Sequence, residues 1–322
     1  MKVLIGENMK NKSLISKTLY FVLGGVLTLL LFMIFSAFRS EEVNQTSSSD
    51  SNIFEVRTPN VPSEVYLFGE KIPLESFDIY ERLERELIVN TYLHSANLLG
   101  LKRSGRWFPV IEPILKRNNI PDDFKYLAVA ESNLENAISS AGATGFWQFM
   151  ESAGKKYGLE INDQVDERYH VEKSTQAACD YLKEAYDKFG SWTLAAAAYN
   201  AGFNGIEKWS NIQNSKNFYN LLLNSETSRY IFRIAALKII FENPNTYNFY
   251  IDSSEKYQPL NTVEMVIDST ITDFSAFAQQ LKINYKILKY YNPWLRDTGL
   301  NNKNKKVYII KVPSDGAMKV FE

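Results

Sequence analysis

Residues 19–38, LYFVLGGVLTLLLFMIFSAF, form an unbroken apolar run without a charge. As a helix rising ~1.5 Å per residue, such a run is long enough to cross a hydrocarbon core of roughly 30 Å. Residues 39–63 switch to a polar texture rich in Ser, Asn and Pro and read as a solvated linker. A helical period then takes over. Phe77, Leu83, Leu87, Ile88, Tyr92 and Leu93 place one apolar face along residues 75–99. Further helices are expected over residues 108–117, 122–134, 145–157, 171–189, 192–200 and 228–242. Pro121, Asp122 and Asp123 put a proline and acids where a helix N-terminus favours them. After Pro244 the pattern changes again, with β-branched, strand-like runs at 263–267 and 306–310 enclosing two short helical patterns at 273–281 and 285–291. The expected fold class is mainly α: a helical domain over residues 64–250, then a small βααβ module over residues 259–314.

Charge orients the first segment. Lys2, Lys10, Lys12 and Lys17 precede the apolar run, whereas Arg39 is followed at once by Glu41 and Glu42. By the positive-inside rule residues 1–18 stay cytoplasmic and the rest of the chain lies outside, on the periplasmic side where there are two membranes. A cleavable signal peptide is the competing reading. The run exceeds the usual signal-peptide core and no A-x-A site follows it, so an uncleaved anchor is preferred. The single cysteine, Cys179, excludes an intramolecular disulfide and reads as buried helix filler. A net charge of -1 offers no basic face for nucleic acid, and leaves sugars, peptides and neutral ligands open.

The candidate chemistry centres on Glu131, which follows the apolar stretch Tyr126–Ala130 and precedes a loop of small residues, Ser139 to Gly145. Two readings of the residues stay open. Glu131 is a solvated helix-end residue and the loop an ordinary turn; or apolar neighbours raise the Glu131 pKa so that it serves as a general acid, with the small residues admitting a bulky ligand and the Gln148 amide contacting it. No His, Cys or second acid stands at an obvious catalytic spacing. His94 and His170 lack partners at ligand spacing, so neither a metal site nor a cofactor is expected. Glu135 and Glu151 read as solvated, and Trp147 as packing.

Glu131-Ser132, Gly142-Ala-Thr-Gly-Phe-Trp-Gln-Phe-Met150 and Ala198-Tyr-Asn-Ala-Gly202, in this order and spacing, resemble the motif set of the lytic murein transglycosylases with a goose-lysozyme-like domain. Ile120 to Leu127 before the Glu and Glu226 to Tyr230 after it extend the resemblance, which covers residues 64–250. It implies a lysozyme-like helical fold acting on peptidoglycan glycan strands, with Glu131 as the only catalytic carboxylate. It also implies substrate contacts for Ser132, Ser139, Gln148, Met150, Tyr199, Asn200, Glu226 and Tyr230. Each has an ordinary structural alternative: core tyrosines for Tyr199 and Tyr230, a helix end before Gly202 for Asn200, a helix N-terminal acid for Glu226.

The C-terminal βααβ module resembles a LysM domain, whose implied ligand is a glycan containing N-acetylglucosamine. Ile267-Asp-Ser-Thr-Ile271 stands where that family has a Gly-Asp-Thr-like turn, and Tyr290-Tyr-Asn-Pro293 resembles its Leu-Asn-Pro segment. Three functions therefore compete: a transglycosylase lyase, a muramidase that admits water, and a non-catalytic wall-binding scaffold tethered at the membrane.

Overall fold

After residue 63 the first element is one the hydrophobic pattern did not announce. Residues 66–67 and 70–71 form a short antiparallel hairpin, β1 (Tyr66–Leu67) and β2 (Glu70–Lys71). The computed structural model describes residues 25, 28–31, 33, 34 and 56–314. Behind the hairpin, α1 (Phe77–Tyr92) buries Leu83 and Leu87 of the face its period predicts, together with Ile79, whereas Phe77, Ile88 and Leu93 of that face are exposed. Leu93, at φ -82 and ψ 57, breaks the chain before α2 (His94–Arg117). This helix starts well before residue 108, where the apolar signal begins. Gly100, Leu101 and Ser104 bury on it ahead of Ile111, Ile114 and Leu115, and it continues through Pro109 and Pro113.

A 3-10 turn at Asp122–Phe124 leads into α3 (Lys125–Ser132), which ends at the left-handed Asn133. The helix expected over residues 145–157 is a correction: only α4 (Glu151–Lys156) is helical, because Gly145 and Gln148 adopt φ of 83° and 48° and turn the chain before it. The next two helices lie where the period places them, α5 (Val171–Phe189) and α6 (Trp192–Ala201). A further helix, α7 (Phe203–Ile212), was not anticipated, although Phe203, Ile206, Trp209 and Ile212 recur at three-residue steps along it; only Ile206 is buried. α8 (Ser225–Glu242) packs against both α1 and α3.

Helix α6 runs through the middle of the domain. Its alanines at 195–198 are fully buried, and their small side chains let α5, α7 and α8 approach closely. Its N-terminus is fastened by the early hairpin: the Glu70 carboxylate accepts hydrogen bonds from the Trp192 and Thr193 amides at 2.7 and 3.0 Å. A carboxylate there complements the positive end of the helix dipole.

After residue 258 the chain forms β3 (Thr262–Ile267), α9 (Phe274–Gln280), α10 (Tyr285–Tyr291) and β4 (Tyr308–Pro313). The strands pair antiparallel, Ile267 opposite Tyr308 and Val263 opposite Val312. A two-stranded sheet needs cover to be stable, and part of that cover comes from the helical domain. Val165 and Tyr169 join Phe274, Leu288, Trp294, Leu295 and Ile310 in one buried cluster. The Asp166 amide donates to the Trp294 carbonyl at 2.9 Å and the Arg296 amide to the Gln164 carbonyl at 2.8 Å. The module is thus docked, not strung on a free tether.

An ion cluster adds to the docking. Lys311 of β4 pairs with Glu172 at the start of α5, and His170 Nδ1 lies 3.1 Å from the same carboxylate. Burial would raise the Glu172 pKa, but His170 and Lys311 outweigh it and hold it at about 2. A carboxylate whose folded pKa lies below its unfolded value of roughly 4.3 stabilises the fold above that value and ceases to as pH falls toward the folded pKa. The expected result is a melting temperature that declines between about pH 4 and 2, with Glu172→Gln flattening that part of the curve; thermal unfolding across a pH series checks it.

Most of the expected membrane segment, residues 19–38, and of the linker lies outside the described residues. Residues 25, 28–31, 33 and 34 are helical. Among the described residues no helix is long and apolar enough to cross a membrane.

Candidate active site

Glu131 occupies the last turn of α3, one residue before the helix closes. It is half-buried, and the Tyr230 hydroxyl of α8, 99 residues away in sequence, donates to its Oε1. Burial raises the Glu131 pKa above the ordinary carboxylate range; the Tyr230 hydrogen bond and the Arg233 charge oppose that shift, and the Glu226 charge adds to it. Burial penalises the ionised form because a carboxylate loses its hydration there. Tyr230 is itself buried, and burial together with the Glu131 charge lifts its hydroxyl well above the usual phenol range. A hydroxyl so held stays protonated and remains a donor to the carboxylate.

α6 and α8 bring the rest of the group together. The Tyr199 hydroxyl donates to the Trp147 carbonyl at 2.6 Å, and burial, then the Glu131 charge, lifts its pKa. The Asn200 amide donates to Glu226 Oε1 at 3.2 Å while its Oδ1 accepts from the Thr227 hydroxyl at 2.8 Å. The Asn224 side chain caps α8 by accepting from the Thr227 amide at 2.8 Å. Thus Glu131, Tyr199, Asn200, Glu226 and Tyr230 form one connected neighbourhood across three helices. Sequence reading missed Arg233; its place one turn after Tyr230 on α8 was the available signal.

The other candidates belong to the loop beside Glu131. The Ser132 hydroxyl is buried and hydrogen-bonds the Ala128 and Phe146 carbonyls at 3.1 and 2.9 Å, tying the helix end to the loop. Ser139 Oγ accepts from the Ala143 amide at 3.0 Å, which closes the tip of the turn. Gln148 Nε2 donates to the Ala137 and Gly145 carbonyls at 3.1 and 2.8 Å, so only its Oε1 is left to face a ligand. Met150 stands 45% exposed at the start of α4. Trp147 is packing, fully buried with its Nε1 donating to Thr175 at 2.9 Å.

Arg168, also missed, clamps this loop. Its guanidinium grips Asp166 at 2.7 and 2.9 Å and donates to the Gly142 and Phe149 carbonyls at 3.2 and 3.3 Å. A clamp built from an arginine fork and backbone carbonyls leaves no hydrophobic period to detect. Glu135 is exposed and pairs with Arg103; Glu151 is exposed and pairs with Lys155 at 2.6 Å. Cys179 is buried, and burial pushes its thiol up to about 12. Among the described residues no group of three or more His, Cys, Asp or Glu is placed to hold a metal ion.

Against known families, residues 108–222 match the transglycosylase SLT domain. Residues 263–316 match the soluble lytic transglycosylase C-terminal LysM-like domain. The SLT match contains Glu131, the loop and Tyr199, while Glu226 and Tyr230 lie just beyond its end. Among curated relatives, membrane-bound lytic murein transglycosylase D of Escherichia coli (strain K12) is 28% identical over 232 residues, 70% of this chain and 50% of the relative. A putative tributyltin chloride resistance protein of Alteromonas sp. (strain M-1) is 28% identical over 129 residues, 39% of this chain and 62% of that protein. The chain spans about half the length of the first of these. Among solved structures, an inactive mutant of the lytic transglycosylase Slt from Pseudomonas aeruginosa aligns at 20% identity and TM-score 0.36, covering 47% of this chain and 26% of that one. At that score the superposition bears on neither the fold nor the site.

Proposed function

We propose that the chain is a peptidoglycan lytic transglycosylase, cleaving the β-1,4 bond between N-acetylmuramic acid and N-acetylglucosamine. The observation that carries this reading is the state of Glu131 inside an SLT domain: one carboxyl, half-buried, with its pKa raised and a buried tyrosine hydroxyl bonded to it. A carboxyl of this kind is protonated further toward neutral pH than an exposed one, as a general acid must be.

Glu131 gives its proton to the bridging oxygen as that oxygen leaves the muramyl carbon. A retaining hydrolase would place a second carboxylate across the bond, and substrate-assisted enzymes are the exception. Here the substrate's N-acetyl oxygen takes that part and closes onto the muramyl carbon. Glu131, now anionic, removes the proton of the sugar's own C6 hydroxyl, whose oxygen displaces the acetamido oxygen and forms the 1,6-anhydro ring. No water is consumed. Tyr230 holds the carboxylate in place through both steps, and Asn200, Glu226 and Tyr199 shape the cleft around it. The apolar run at residues 19–38 would keep the enzyme at the membrane with its catalytic part outside the cytoplasm, and the LysM-like domain would hold it on the polymer.

The test is to incubate the protein with purified peptidoglycan and identify the released muropeptides by mass spectrometry. Anhydro products, lighter than hydrolytic ones by one water, support the proposal. Reducing-end products would make it a muramidase, and no release by a folded protein that binds the polymer would make it a scaffold. The environment of Glu131 carries a second expectation. The Tyr230 hydroxyl favours the ionised carboxylate, so Tyr230→Phe raises the Glu131 pKa further. Because the first step needs protonated Glu131, the alkaline limb of the pH–rate curve should move to higher pH in that variant.

A further inference from the structure

A cavity of about 500 Å³ lies where the SLT domain meets the LysM-like domain. Its size falls in the range of small-ligand sites, which favour domain junctions. Trp107, Val110, Leu134 and Phe146 line it from one side, and Pro293 and Lys311 from the other. Glu131 does not line it. The cavity does reach the same loop, since Leu134 and Phe146 flank the segment that Ser132 ties to α3.

The lining indicates what would bind. Sugar rings stack on open aromatic faces; here several lining rings are already covered, although Tyr290 stays 52% exposed. Trp294 stacks on Tyr308 with ring centroids 5.8 Å apart, Trp107 meets Phe146 edge-on at 5.0 Å, and Arg106 covers the Tyr257 ring at 5.4 Å. What remains is an apolar floor suited to small aliphatic groups. Charge then discriminates further. Of the lining cations, Arg103 pairs with Glu135 and Lys311 with Glu172. Arg106 instead donates to neutral oxygens, the Gln258 carbonyl at 3.0 Å and the Tyr290 hydroxyl at 2.8 Å, and among the described residues no carboxylate pairs with it. A guanidinium held by two neutral acceptors at the edge of an apolar pocket is suited to a carboxylate, which it binds in a planar, bidentate fashion.

We propose that this junction cavity is an accessory site for a short peptide ending in a free carboxylate, with Arg106 as the anion-recognising group and the apolar floor taking the side chains. The inference rests on the transglycosylase reading for its source of ligand: the peptide arms that peptidoglycan carries on its muramyl residues. Binding one arm at the junction would add a second attachment to the polymer and raise the effective concentration of glycan at Glu131.

The experiment uses the full chain in detergent and ligand-observed NMR. N-acetyl-trialanine with a free carboxylate is titrated beside its C-terminal carboxamide, with triacetylchitotriose as the saccharide probe. The expected result is that the carboxylate peptide binds, the carboxamide binds at least about tenfold more weakly, and Arg106→Gln abolishes the difference. Equal binding of the two peptides, binding of neither, or displacement of the peptide by triacetylchitotriose would overturn the proposal. The paired peptides give this answer on the unmutated chain, so a folding defect in Arg106→Gln cannot obscure it. Peptide binding requires no turnover. A chain that binds the peptide yet releases no muropeptides would keep this site and lose the catalytic reading, and the reverse outcome would do the opposite.

Discussion

Glu131→Gln is expected to lower the release of anhydro-muropeptides by about 10²–10⁴-fold or more, the range spanned by removal of a general acid–base group. The loss belongs at the upper end because the proposed reaction uses the same carboxyl twice, first to protonate the leaving oxygen and then to take the C6 hydroxyl proton. An amide does neither. The substitution nearly preserves shape, and a glutamine oxygen can still accept from the Tyr230 hydroxyl. Stability should move the other way. Burial raises the folded-state pKa of Glu131, so its contribution to stability is fully present below the unfolded pKa and is lost as pH rises through the folded one. A neutral glutamine removes that loss. The variant should therefore melt at or above the temperature of the parent at neutral pH, a combination of lost activity and retained stability that misfolding cannot produce. Muropeptide analysis and thermal melts on the same preparations check both halves. If Glu131→Gln retained more than about a tenth of the parent's activity, the single-carboxylate mechanism would fail.

Gly145→Ala should damage the fold more than any other small substitution in the loop. Gly145 has φ +83, and a Cβ there would sit 2.0 Å from the Arg168 carbonyl oxygen and 2.8 Å from its carbon. The left-handed backbone costs an L-residue about 1–2 kcal/mol, and forcing a methyl against backbone adds a further ~1–3 kcal/mol. A total of about 3 kcal/mol corresponds to a melting temperature lower by roughly 6–12 °C for a domain of this size. Gly142→Ala supplies the comparison. Gly142 has nearly the same φ, +85, but nothing lies within 4 Å of its would-be Cβ, so only the backbone cost of ~1–2 kcal/mol applies. A drop for Gly145→Ala no larger than for Gly142→Ala would show that the Arg168 segment yields. That segment also carries the hydrogen bonds to the LysM-like domain through Gln164 and Asp166, so its displacement should disturb the active-site loop and the domain junction together. Hydrogen exchange over residues 136–150 and 290–300 would report it.

The residues that sequence reading placed well share a local cause. Val171–Phe189 and Tyr285–Tyr291 form helices over the intervals their patterns predict, because a continuous apolar face and a capping residue are properties of neighbours in the chain. Glu131 could likewise be singled out, since an acid directly after an apolar run and before a loop of small residues is visible without coordinates. The resemblance to the lytic transglycosylases then gave it a role.

Failures of local reading have an equally definite cause. Residues 145–149 carry helical apolar spacing, yet the chain turns there because Gly145 must lie against the Arg168 carbonyl and Gln148 stitches the turn to Ala137. Helix α7 packs on α6 and was legible locally, with Phe203, Ile206, Trp209 and Ile212 at three-residue steps, although only Ile206 is buried.

The sequence by itself determined the mainly helical class and the βααβ order of the last module, since these follow from periodicity and β-branching along the chain. Only the tertiary structure decided that Tyr230 reaches Glu131, that Arg168 clamps the loop and that Val165 and Tyr169 complete the core of the LysM-like domain. Those facts depend on groups distant in sequence meeting across packed helices, and no local pattern encodes a distance of that kind.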